Sequence, residues 1–112
     1  MWTSEDNSNY IATFSLAGQS YGNGEYEVAA SDPRATSIPP WDLFQVGGSI
    51  GGHWRAGEYS NGTYTGAAML DGTYLGDWVT IKHPVPFIMT QFQFMPRVGW
   101  NNRIPGKFKL YG

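Results

Sequence analysis

The sequence predicts an all-β domain built of antiparallel strands. Aromatic residues make up 16% of the chain, and Gly (15) and Pro (7) recur often, the profile of short strands joined by tight turns. Several segments alternate apolar and polar residues with a period of two, as a sheet with one buried face requires. No stretch of convincing length carries a helical period.

The first expected strands are YIATFSLA (10–17) and EYEVAAS (25–31), with the turn-rich GQSYGNGE between them. PPWDLFQ (39–45) is the one helical candidate, a turn or two of 3₁₀ or α geometry with proline ahead of Trp41, Leu43 and Phe44. Residues 45–66 read as loop: six of the fifteen glycines fall at 47, 48, 51, 52, 57 and 62, and Gly66 closes the stretch. Inside it, SNGTY carries the Asn-Gly signature of a hairpin turn. Asn61-Gly62-Thr63 is also a glycosylation sequon, which matters in a secreted chain.

Three further strands are expected. In WVTIKH (78–83), Val79 and Ile81 point one way, and Trp78, Thr80 and Lys82 the other. In FIMTQFQFM (87–95), Ile88, Thr90, Phe92 and Phe94 share one face, and Gln91 and Gln93 lie opposite with Phe87, Met89 and Met95. KFKLY (107–111) turns Phe108 and Leu110 inward, and Lys107, Lys109 and Tyr111 outward.

Length and charge narrow the functions. A chain of 112 residues supports one domain, and 41% hydrophobic residues argue against disorder. With 14% charged residues and a net charge of −2, nucleic acid is not expected as a partner. All nine acids lie at or before Asp77, and Lys82, Arg97, Arg103, Lys107 and Lys109 follow it. Such cations commonly blunt exposed strand edges. The absence of cysteine excludes disulfides, thiolate metal sites and a cysteine nucleophile. No apolar run approaches the ~20 residues of a membrane-spanning helix. MWTSEDNSNY lacks a basic start followed by an apolar run, so it does not read as a secretory signal. Either a signal lay upstream, or the chain is intracellular, viral or recombinant.

Catalytic patterns are not found. His53 and His83 are thirty residues apart, and neither has a second histidine at ligand spacing, so no metal or cofactor is expected. There is no G-x-S-x-G elbow, and VGGSIGG lacks the Lys-Ser/Thr of a phosphate loop. Glu25, Glu27, Glu58, Asp71 and Asp77 form no recognisable glycosidase pair. Glu25 and Glu27 are spaced for one solvated strand face. The expectation is therefore a protein that is not an enzyme.

The order of features points further. PPWDLF is followed by a Gly-rich loop reaching HW, then GDWVTIKHPVPFIMTQFQFMPR, then RIPGKFKLYG. Over roughly residues 25–112 this resembles the discoidin family, the coagulation-factor type-C or galactose-binding-like domain, in the short form found in marine phage, giant-virus and environmental proteins. The resemblance implies a jelly-roll β-sandwich. It implies a non-catalytic module that binds sugars, phospholipid head groups or protein partners through loops at one end. It implies an extracellular or virion-surface setting. The family often places a calcium-loop Asp after the Phe of its first turn; Gln45 stands at that position, and Asp42 is out of register. The family roll would continue past Gly112. Three expectations stay open: a truncated domain, a piece completed by another chain, or a compact variant.

Sugar sites pair an aromatic plate with a few placed polar groups. HWRAGEYSNGTY supplies His53, Trp54, Arg55, Glu58, Tyr59, Asn61 and Tyr64, and RVGWNNR supplies Arg97, Trp100, Asn101, Asn102 and Arg103. The expected ligand-binding residues are Trp100, Asn101, Asn102, Arg103, Arg97, His53, Arg55 and Tyr59, contacting carbohydrate or cell-surface groups. Trp54 and Arg97 also have a structural reading, as a core plug and a loop tie. The alternative is a structural subunit of a virion or extracellular filament that uses the same loops and an open sheet edge to contact neighbouring chains.

Overall fold

The computed structural model describes residues 1–4, 9–19, 21–31, 39–44, 59–95, 99 and 105–112. Most of its regular structure is strand in antiparallel sheets, with almost no helix. Strand β1 spans Asn9–Phe14, β2 Gly24–Ala30, β3 Tyr59–Ser60, β4 Thr63–Tyr64 and β5 Val79–Lys82. A 3₁₀ turn occupies Pro40–Phe44, where the sequence places it.

The main sheet has the order β1-β2-β5. Tyr10 lies opposite Val28 and Ala12 opposite Tyr26; Val28 lies opposite Ile81 and Ala30 opposite Val79. The register therefore puts Tyr10, Ala12, Phe14, Tyr26, Val28, Ala30, Val79 and Ile81 on one face, as the alternation predicts. Among the described residues, Tyr10, Ala12, Val28 and Ala30 are buried on that face, with Val28 0% exposed, and Pro40 of the 3₁₀ turn is buried as well. Full burial of a valine contributes about 1.5–3 kcal/mol. Glu25 and Glu27 share the opposite face; Glu25 is exposed, and Glu27 Oε1 accepts a hydrogen bond from Asn9 Nδ2 at 2.8 Å.

β1 ends at Phe14, short of the expected Ala17, because a turn takes over. Leu16 N–H donates to Asn23 Oδ1 at 2.8 Å, and Asn23 Nδ2 donates to the Gln19 carbonyl at 2.7 Å. Gly18, Gly22 and Gly24 all adopt positive φ in this link. On the outer side of β1, Thr3 and Ile11 exchange two backbone hydrogen bonds of 2.9 Å.

Aromatic rings extend this small core. Trp41 stacks on Trp2 (centroids 6.0 Å, 10° apart), Trp2 meets Phe14 edge-on, Phe14 meets Tyr26, and Tyr26 meets His83 at 4.8 Å. His83 also touches Tyr21 and Phe87. The seam runs from the 3₁₀ turn to the chain leaving β5, and each such pair adds about 0.5–1.5 kcal/mol beyond its area. The Tyr26 hydroxyl donates to the Gly22 carbonyl at 2.8 Å and sits 3.0 Å from His83 Nε2. His83 Nδ1 lies 2.9 Å from the Val85 carbonyl oxygen. Both ring nitrogens are thus engaged in fixing the chain after β5.

Two expected strands need correction. Among the described residues, neither 87–95 nor 107–111 enters a ladder. Alternation specifies which side chains share a face, but a strand also needs a neighbour offering backbone donors and acceptors. Pro84 and Pro86 separate 87–95 from β5 and carry no N–H of their own. The facial pattern does hold: Phe92, Phe94 and Phe108 meet in edge-to-face contacts of 5.0–5.7 Å.

The segment after β4 is closed by Gly76 N–H donating to the Ala68 carbonyl (2.9 Å) and by a bridge between Met69 and Leu75. Its turn is organised by Asp71. Oδ1 accepts from the backbone N–H of Thr73 (2.9 Å) and Tyr74 (2.8 Å); Oδ2 accepts from the hydroxyls of Thr73 (2.8 Å) and Tyr111 (2.6 Å). Lys109 Nζ lies 5.1 Å from the centre of the Tyr74 ring. The end of the chain is thereby tied to the 71–74 turn.

Candidate functional site

The hairpin β3–β4 forms as SNGTY predicts. Tyr59 pairs with Tyr64 and Ser60 with Thr63, leaving a two-residue loop. Asn61 (φ 49°) and Gly62 (φ 77°) are both left-handed, which is the type I′ geometry that Asn-Gly favours. This turn sets the two tyrosines side by side across the hairpin, their rings 5.3 Å apart and tilted by 54°. Tyr59 is 51% exposed, and Tyr64 is half-buried.

Asp77 closes the cluster from the β5 side. Its Oδ1 accepts from Ser31 Oγ at 2.9 Å and lies at the 3.5 Å limit from the Tyr64 hydroxyl. Ser31 in turn accepts from the Trp78 N–H at 3.0 Å, and the Ser31 N–H donates to the Trp78 carbonyl at 3.0 Å. The end of β2 and the start of β5 thus hold the carboxylate in place. The Tyr64 hydroxyl accepts from the Ala68 N–H at 3.1 Å, which fixes its ring. Partial burial raises the Tyr59 phenol above its ordinary value of 10.0, and the negative charge of Asp77 adds to the rise; a hydrogen bond from the Asp77 backbone partly offsets it.

Asp77 Oδ2 is shielded from solvent and has no hydrogen-bond partner. A carboxylate oxygen in that state gains about 1–3 kcal/mol when a donor reaches it. The cluster therefore offers an exposed ring, a second ring held rigid beside it, and an acceptor with unused capacity. Among the described residues, no three His, Asp, Glu or Cys side chains are grouped to hold a metal ion.

Of the residues expected to bind ligand, Tyr59 belongs to this cluster. Trp100, Asn101, Asn102, Arg103, Arg97, His53 and Arg55 lie outside the described residues, as do Trp54, Glu58 and Gln45. Asn61 is at the exposed hairpin tip. Asp77, which meets the Tyr64 hydroxyl, and Ser31, which meets Asp77, join the cluster without a place among the residues expected from the sequence. Their signal is faint: GDW precedes an alternating strand, and only the pairing of β2 with β5 brings Ser31 alongside.

Asp42, out of register with the calcium-loop position, is the buried charged side chain of the described residues, 1% exposed. Both of its carboxylate oxygens lack a partner. In the 3₁₀ turn Leu43 and Phe44 are exposed and Asp42 is buried.

No family model, curated protein or solved structure matches the chain.

Proposed function

We propose that this chain is a non-catalytic binding module that recognises carbohydrate or related hydroxyl-rich cell-surface groups, on a galactose-binding-like β-sandwich of the discoidin type at an extracellular or virion surface. The carrying observation is the Tyr59–Tyr64 pair beside Asp77, at a hairpin turned to solvent. A sugar's C–H face stacks on the Tyr59 ring, while a hydroxyl donates to the unused oxygen of Asp77 after a small local shift. Arg97, Trp100, Asn101, Asn102, Arg103, His53 and Arg55 remain part of the proposed ligand contact on sequence grounds and lie outside the described residues.

The test is binding of the purified chain to a glycan array, followed by Tyr59→Ala and Asp77→Asn. The expected result is a defined set of bound glycans, lost at least tenfold in Tyr59→Ala, with an unchanged circular dichroism spectrum. A wild-type chain that is folded and binds no glycan refutes the reading.

A second reading, a structural subunit of a larger assembly, is favoured by a different observation. Every residue from Phe87 to Met95 is exposed, including Ile88 (90%) and Met95 (84%). Contiguous apolar surface of this kind marks an interaction site.

A further inference from the structure

The segment Phe87–Met95 combines three properties. It forms no backbone hydrogen bond among the described residues, so its N–H and C=O groups are free to pair. It is exposed along its whole length and carries six large apolar side chains. It also contains no charge: from Pro84 to Met95 there is no Asp, Glu, Lys or Arg. Protein edges that must stay unpaired are commonly guarded by charges or bulges, and an uncharged apolar edge invites another strand.

The sequence of the segment identifies which strand fits. Laid antiparallel on a second copy of itself about Gln91, Ile88 meets Phe94, Thr90 meets Phe92, and Gln91 meets Gln91, with Phe87 opposite Met95 and Met89 opposite Gln93. Because the centre falls on a residue, each side chain keeps its face, so the apolar set of one copy continues that of the other. No like charges oppose each other, and the Gln91 amides can hydrogen-bond across the axis. Phe92 and Phe94 already form a ring cluster with Phe108, and all three remain about half exposed. The partner's Ile88 and the partner's Thr90 would lie beside Phe94 and Phe92 on that face.

Phe87, Ile88, Met89, Phe92, Phe94 and Met95 are each 42–90% exposed, the kind of contiguous apolar surface that an interface covers.

We propose that 87–95 is a self-recognition strand, and that two copies of this chain pair through it antiparallel about a two-fold axis at Gln91. This rests on the assembly reading and names the partner. The absence of cysteine makes the register directly testable. Gln91→Cys places two thiols opposite each other across the axis, within disulfide reach. Gln93→Cys separates them by roughly four residues, about 13 Å along the strands, beyond reach.

The experiment is oxidation of each single-cysteine chain, alongside light scattering and amide hydrogen exchange of the wild type. The proposal expects a dimer mass, slow exchange across 88–94, a disulfide dimer for Gln91→Cys and at least tenfold less for Gln93→Cys. Phe92→Lys should convert the dimer to monomer without altering the circular dichroism spectrum. A folded wild-type monomer whose 88–94 amides exchange freely overturns self-pairing but leaves the open edge of the assembly reading in place. A monomer in which those amides are protected overturns both. A dimer with equal crosslinking at the two positions overturns the register.

Discussion

Replacement of Gly24 by alanine probes the junction that sends the chain from β5 toward 87–95. Gly24 has φ +128°, and a Cβ built there would sit 2.6 Å from Pro84 Cβ and 3.2 Å from Pro84 Cγ. Two costs follow. The left-handed backbone costs an alanine roughly 1–2 kcal/mol. The clash falls on a ring of fixed shape, and overpacking of this kind costs about 1–3 kcal/mol more. Gly24→Ala should therefore lose about 2–5 kcal/mol, a large share of the ~5–15 kcal/mol of a typical domain. Gly18 provides the control, because it has φ +79° and no atom within 4 Å of the built Cβ. Gly18→Ala should lose only the backbone share. Pro84→Gly removes the clashing atoms, so Gly24→Ala/Pro84→Gly should recover about 1–3 kcal/mol relative to the sum of the single changes. Urea denaturation followed by circular dichroism measures all four chains. Equal losses for Gly18→Ala and Gly24→Ala, or additive losses in the double variant, would refute the argument that Pro84 packs on Gly24.

The remaining predictions concern charge. The hydrogen bonds to Asp71, first that from Tyr111 and then those from Tyr74 and Thr73, hold its carboxyl below its ordinary 3.8, and the bond to Asp71 pushes the Tyr111 phenol from 10.0 up to about 12. A depressed carboxylate stabilises the fold above about pH 4 and loses that effect as acid protonates it; a raised phenol stabilises below pH 10 and loses its effect as pH rises toward 12. Tyr111→Phe should thus lower the melting temperature at pH 7, with the gap from wild type narrowing in strong acid and again above pH 10 as Tyr111 ionises. A gap independent of pH would contradict it. Asp42→Asn removes a buried carboxylate charge that has no partner, and should raise stability by about 1–3 kcal/mol in denaturant titration. A loss of that size would show that the charge is held by something.

Much of the sheet is legible in the sequence because alternation and turn chemistry are local signals. Tyr10, Ala12, Val28 and Val79 face the core where a period of two places them, and Asn61-Gly62 makes the turn its φ angles demand. The 87–95 segment is legible only in part. Its faces can be read from Phe92 and Phe94, but its pairing depends on a neighbour that no local pattern names. The same limit applies to the site. Tyr59 stands out as an aromatic in a polar loop, whereas the Ser31–Asp77 bond beside the tyrosine pair depends on β2 lying beside β5, a contact between residues 46 positions apart. Asp42 runs against residue chemistry, since its carboxylate is buried while its apolar neighbours Leu43 and Phe44 are exposed.

The small buried core of the described residues has a calorimetric consequence. Unfolding raises heat capacity in proportion to the apolar surface newly wetted, and a self-contained chain of this length would show about 1.3–1.7 kcal/mol/K. Here Tyr10, Ala12, Val28, Ala30 and Pro40 are the buried apolar side chains of the described residues, and the rings of the seam are partly exposed even in the folded state. The isolated protomer should therefore unfold with a small heat-capacity step, a shallow stability curve and a broad transition. Whatever covers the Phe92–Phe94–Phe108 cluster should sharpen all three.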